Sequence, residues 1–182
     1  LDEIGIRPDY ITGSSMGALV AATYIKMGSA AATWAELDRM SKSEPFRKLG
    51  MHLINVKGRG GESFWHQVSS AIQDRIVINL AHSKPGLVRA DRIEEAIKYV
   101  ITEDSWFDSG TELGIVSTDL YSGEDIYFTE GPLLPAVMAS IAIPGFLPPV
   151  YHEGKTLVDG GVSQQVPIRM AREMGADFVM AV

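Results

Sequence analysis

The sequence predicts an α/β domain built in layers, and three observations lead there. Short apolar runs of strand length alternate with segments of helical periodicity along the chain. Between Asp9 and Met27 a strand-like run, a glycine–serine turn and an apolar helical stretch follow one another directly. No repeat and no charge block interrupts the 182 residues, a length that suits one domain and a core without metals or disulfides.

The elements follow in order. Leu1 to Ile4, with Gly5 behind it, has the form of a last helical turn and its glycine stop. Asp9 to Thr12 reads as a strand, and Met16 to Met27, rich in Ala, Leu, Val and Ile and stopped at Gly28, as a buried helix. Trp34, Leu37 and Met40 recur at helical spacing within a helix over Trp34 to Met40. From Ser41 to Pro85 the pattern predicts variable, partly mobile structure, with a flexible loop over Asn55 to Gly61 and a helix near Ser63 to Ile76. Asp91 with Glu94 resembles a capping box opening a helix over Asp91 to Thr102, whose apolar stripe is Ile93, Ala96, Ile97, Val100 and Ile101.

Leu113 to Asp119 and Asp125 to Thr129 read as strands of a hairpin joined through Tyr121-Ser122-Gly123. Leu133 to Ala142 is helical and must end before Pro144. Thr156 to Val158 reads as a short buried strand. Pro167 to Met174 reads as a helix with proline at its start and Gly175 past its end, and Phe178 to Val182 as a final strand.

Composition removes several classes of function. With no cysteine, thiolate zinc sites, disulfides and cysteine nucleophiles are excluded. Sixteen basic against 23 acidic residues, a net charge of −7, argues against a nucleic-acid binder, which needs a basic footprint. No signal peptide stands at the start and no window of 18 apolar residues appears, so the expectation is a soluble, cytoplasmic protein. Nothing in the sequence speaks to oligomeric state.

Thr12-Gly13-Ser14-Ser15-Met16-Gly17 holds one G-x-S-x-G match centred on Ser15. A bare match is weak, but this one follows a predicted strand and opens a predicted helix, as a nucleophile elbow requires. Gly13 and Gly17 let the backbones flanking the turn approach closely, and the helix start offers N–H groups to a developing oxyanion, Met16 N–H first. The alternative is a tight strand–helix turn capped by the Ser14 or Ser15 hydroxyl.

What activates Ser15 has two answers on these residues. A Ser–acid–His triad needs that chain order; His52, His66 and His82 sit in or beside the less legible middle region, where each suits a surface or core place, which leaves a triad such as Ser15, Asp119 and His152. His152, beside Glu153-Gly154, also suits a plain turn. The other answer is Asp159, at the end of the apolar Leu157-Val158 run and followed by Gly160-Gly161, which would take the Ser15 proton itself if burial raised its pKa. An Asp-Gly turn without chemistry fits the same residues.

Three separated motifs resemble those of the patatin-like phospholipases, in the order that family has them. They are Gly13-Ser14-Ser15-Met16-Gly17, the proline-rich block Ala139-Ser140-Ile141-Ala142-Ile143-Pro144-Gly145-Phe146-Leu147-Pro148-Pro149-Val150, and Asp159-Gly160-Gly161. Val116-Ser117-Thr118-Asp119-Leu120 through Gly123-Glu124 is similar to the family's central strand and turn. The resemblance implies a three-layer α/β/α sandwich with a mainly parallel central sheet over residues 1–182. It implies a Ser–Asp dyad, with Ser15 as nucleophile and Asp159 as base, and hydrolysis of lipid or lysophospholipid esters through an acyl-serine. It implies neither cofactor nor metal.

The chain departs from the family's pattern in two places. The glycine-rich oxyanion loop of the family does not precede Ser15, and Gly58-Arg59-Gly60-Gly61, which comes after it, reads as a surface loop. With its first residue Leu1, the chain is expected to lack the first strand and that loop, and so to be weak or inactive while the longer protein is a hydrolase. Gln165 before Val166-Pro167 stands where the family more often has asparagine, a minor change. An acyltransferase with the same nucleophile, and a degenerate lipid-binding or regulatory domain, remain open alternatives. Lipid substrates imply peripheral membrane contact. Leu49, Met51, Leu53, Ile54, Phe64 and Trp65 suit either an apolar lid or, as the preferred reading, ordinary core.

Overall fold

A computed structural model of the chain describes residues 2–49, 89–105 and 110–182. The loop over Asn55 to Gly61, the helix near Ser63 to Ile76, three of the histidines and all lid residues but Leu49 lie outside the described residues. Leu49 itself is buried in the apolar core.

The chain opens with a 3-10 turn, Asp2–Ile4, then strand β1, Tyr10–Ser14, and helix α1, Met16–Met27. Helices α2, Ala30–Lys42, α3, Glu44–Lys48, and α4, Ala90–Ile97, come next. Strands β2, Glu112–Asp119, and β3, Asp125–Phe128, form the expected hairpin, antiparallel with Ile115 opposite Phe128. Helix α5, Leu133–Ser140, leads to β4, Val150–His152, and β5, Lys155–Asp159, and the last helix is α6, Ile168–Glu173.

Strand β2 organises the sheet, and its pleat sorts residues to two faces. Leu113 and Ile115 enter one apolar cluster with Leu19 and Ala22 of α1, Met40 of α2, Ile93 and Ile97 of α4, and Val137 of α5. Gly114, between them, faces α6, where the Met170 and Met174 side chains fill the space a Cβ would take. Helices thus cover both faces, the α/β/α layering. The residues of the expected stripe, Ile93, Ala96, Ile97, Val100 and Ile101, are all buried, but the helix ends at Ile97 and not at Thr102, and Val100 and Ile101 follow it in a turn.

Several local expectations are corrected. The sheet is mixed, not mainly parallel: β1 pairs with β2 in parallel, but β3 with β2, β5 with β2 and β4 with β5 are antiparallel. Strand β4 was not foreseen; Glu153-Gly154 is the two-residue turn of a β4–β5 hairpin, both residues at positive φ, with His152 opposite Lys155. Phe178 to Val182 forms no strand and pairs with none of the described strands, and Phe178 and Met180 are exposed. Asp91 forms no capping box, because the N-cap is Arg89 and the Asp91 carboxylate takes the Arg89 guanidinium at 2.7 Å. On α2, Trp34 is exposed, and Thr33 and Met40 are the buried positions.

The pairing of β2 has a consequence for chemistry. β1 pairs with residues 112–116, β5 with 117–119, and β3 with 115–118. Since β3 overlaps both others, β1 and β5 must share the opposite edge of β2. They run toward each other along it and stop at Ser14, opposite Val116, and Asp159, opposite Ser117.

Candidate active site

Two strands meeting head-on bring their C-terminal ends into one place. The residue after β1 is Ser15 and the last residue of β5 is Asp159. Ser15 Oγ donates a hydrogen bond to Asp159 Oδ2 at 2.6 Å.

Ser15 sits between strand and helix with φ 55° and ψ −123°. A non-glycine residue held there costs about 1–3 kcal/mol and persists only where its surroundings over-determine it. Ser15 is the N-cap of α1, yet no side-chain capping bond is made: its Oγ is turned to the carboxylate. The Ser14 Oγ, buried, makes no hydrogen bond among the described residues either, so neither hydroxyl caps the helix. Close approach is real at Gly13, where a Cβ would lie 2.5 Å from Gly17 O. It is not the reason for Gly17, which is exposed and has no described atom within 4 Å of where its Cβ would sit. Met16 opens α1, so its N–H belongs to the first-turn amides that have no acceptor within the helix.

Asp159 is 5% exposed. Its Oδ1 accepts the Gly161 N–H at 2.7 Å, and its own N–H donates to Ala142 O at 2.9 Å. Burial pushes the carboxyl above its ordinary value, opposed by the bonds from Ser15 and Gly161. Gly160 and Gly161 start a 3-10 turn, held to β2 by Thr118 Oγ1, which donates to Asp159 O at 3.2 Å and shares a 2.7 Å hydrogen bond with Ser163 Oγ.

The Ser15, Asp119, His152 triad does not assemble. Asp119 Oδ2 accepts from the Ser122 hydroxyl at 2.7 Å and Oδ1 from the Thr156 N–H at 3.3 Å, so this carboxylate ties the β2–β3 turn to β5. His152 stacks tilted against Phe128 at 5.1 Å. Among the described residues no three His, Asp or Glu side chains converge as metal ligands.

This elbow, this aspartate and the strands between them fall within residues 1–172, which match the family model for patatin-like phospholipases. The chain belongs to the patatin-like phospholipases. An uncharacterized NTE-family protein of Mycobacterium tuberculosis is 32% identical over 131 residues, 71% of this chain and 36% of that protein. Human patatin-like phospholipase domain-containing protein 6 is 26% identical and rat domain-containing protein 7 is 27% identical, each over the whole chain and 12% of its own length. The chain thus spans a small part of the relatives it matches.

One group in this patatin-like domain escaped the sequence reading as a functional residue. Ser140 ends α5, whose other seven residues are apolar, and its hydroxyl reaches the elbow. The available signal was a lone polar residue in an apolar helix next to a proline-rich block. A second such group is Ser117, wholly buried, whose hydroxyl donates toward Val158 O at 2.6 Å and ties β2 to the strand that carries Asp159.

Proposed function

We propose that the domain hydrolyses acyl esters of lipids or lysophospholipids, with Ser15 as nucleophile and Asp159 as its general base. The 2.6 Å hydrogen bond from Ser15 Oγ to a buried carboxylate carries this reading. A serine needs a base within hydrogen-bond reach, and a base with a raised pKa holds a proton better through the reaction.

Asp159 Oδ2 takes the Ser15 proton as Oγ attacks the ester carbonyl carbon. The Met16 N–H, at the positive end of α1, faces the oxyanion that forms. When the tetrahedral intermediate collapses, the ester C–O bond breaks and the leaving alcohol takes the proton from Asp159. A water then gives its proton to the same carboxylate and attacks the acyl-serine carbon. Collapse releases the fatty acid, and Ser15 Oγ recovers the proton. Asp159 serves as base and acid in turn, so no histidine is required.

The test is labelling by a fluorophosphonate together with hydrolysis of p-nitrophenyl esters of graded chain length and of lysophosphatidylcholine. The full-length protein is expected to be labelled at Ser15 and to release acid, and Ser15→Ala to do neither. Labelling that survives Ser15→Ala overturns the assignment. Acyl transfer to added glycerol in place of release to water points to an acyltransferase. Co-flotation with phosphatidylcholine vesicles measures the membrane contact that an interfacial substrate entails.

A further inference from the structure

We propose that Ser140 is a positioning residue for the nucleophile, its buried hydroxyl holding the Ser15 backbone in the turn from which Oγ reaches Asp159. The inference rests on the reading of Ser15 as nucleophile.

The Ser15 N–H donates to Ser140 Oγ at 2.9 Å, and Ser140 Oγ donates to Val116 O at 2.6 Å. A hydroxyl has one hydrogen. Since that hydrogen goes to Val116 O, a lone pair is left for the Ser15 N–H, and the direction of both bonds is settled. Ser140 is wholly buried, so water supplies no substitute.

The place of this hydroxyl follows from the head-on strands. The last paired position of β1 is Ser14 opposite Val116, and the next residue is the strained Ser15. Between the Ser15 N–H and the Val116 carbonyl stands Ser140 Oγ, one residue past the end of the parallel ladder. It bridges the chain at the point where β1 leaves the sheet to turn into α1. A direct bond between these two backbone groups would draw Ser15 into line with the strand. The inserted oxygen keeps them linked while the backbone bends away.

Helix α5 also serves the other partner. The Ala142 carbonyl, two residues beyond Ser140, accepts the Asp159 N–H, and the Ser117 hydroxyl lies 3.2 Å from Ala139 O. The end of α5 therefore ties the nucleophile and its base to a common support 125 residues along the chain from Ser15.

The experiment compares Ser140→Ala, Ser140→Thr and Thr23→Ala with the wild-type full-length protein. Thr23 is wholly buried in α1 and bonds Leu19 O, so its truncation loosens the helix behind Ser15 without touching the turn. The readouts are the rate of fluorophosphonate labelling per folded molecule, and kcat and KM for p-nitrophenyl butyrate, well below each Tm. Ser140→Ala is expected to label and turn over about 10–100 times more slowly, as for loss of alignment at a reacting group, with KM within about twofold. Ser140→Thr, which keeps the hydroxyl, recovers most of the rate, and Thr23→Ala melts lower but labels at the wild-type rate. Should Ser140→Ala not fold, Ser140→Cys keeps the shape with a somewhat larger atom and weakens both bonds, and a slowed rate supports the assignment equally. Wild-type labelling rates in folded Ser140→Ala or Ser140→Cys overturn the positioning role alone. A wild-type protein that takes no label overturns the nucleophile reading, and this inference with it.

Discussion

A Cβ on Gly160 would lie 2.2 Å from the carbonyl oxygen of Val116. Val116 lies within β2 and Gly160 just past the end of β5, and the two touch because β1 and β5 abut on one edge of β2. The backbone that follows Asp159 has to pass over the junction, and only a residue without a side chain fits there.

Gly160→Ala is therefore expected to cost about 1–3 kcal/mol or more, since the atom it meets is backbone and cannot swing aside. Gly13→Ala meets Gly17 O at 2.5 Å and should behave alike. Gly17→Ala should do the reverse, because it adds a methyl to an exposed helical position with open space and gains up to about 1 kcal/mol of helix propensity. Urea denaturation of the three variants measures this. A Gly17→Ala protein that melts like Gly160→Ala would contradict the geometry.

What was legible in the sequence was local. Helix α1 was read with its true ends, Met16 and Met27, because an apolar run and a glycine stop are written in adjacent residues. The elbow and the Asp-Gly-Gly turn were legible for the same reason. The direction of β5 was not, because Lys155 to Asp159 reads identically whichever way its neighbour runs. Yet antiparallel pairing is what aims Asp159 at Ser15. Strand β4 was missed because three residues, Val150 to His152, are too few to show alternation. Phe178 to Val182 shows the converse: an apolar pattern alone made no strand, and the segment pairs with none of the described strands.

His152 and Asp119 separate a dyad from a triad. His152→Gln should lose the ring contact with Phe128, at about 0.5–1 kcal/mol, and keep Ser15 labelling at the wild-type rate. Asp119→Ala should release the turn at Ser122 and lower stability while labelling persists. The Asp119 carboxyl is held below its ordinary value, chiefly by the Ser122 hydroxyl. Its contribution is thus present above the usual carboxylate range and lost as pH falls through the lowered value, so the Tm gap between wild type and Asp119→Ala should narrow in acid. Loss of labelling in His152→Gln would restore the triad.

Asp159→Asn should move activity and stability in opposite directions. Burial raises the Asp159 carboxyl above 3.8, so between that value and the raised one the folded state holds a proton that the unfolded state has released. Stability then falls as pH rises through this window, and at neutral pH the buried carboxylate is a net cost. An asparagine removes the charge while its oxygen still accepts the Gly161 N–H and its amide faces Ser15. The variant is expected to melt at or above the wild-type temperature at pH 7, with the advantage gone at pH below the ordinary carboxylate value. Its kcat should fall by about 10²–10⁴, the usual contribution of a general base. In the wild type, kcat/KM should rise with pH along an acid limb centred above 3.8, the ionisation that frees the base. An Asp159→Asn protein that melts markedly lower at pH 7 would mean that the carboxylate holds the fold together. One that melts higher and does not turn over would mean that the chain carries a buried charge at the end of β5 for its chemistry.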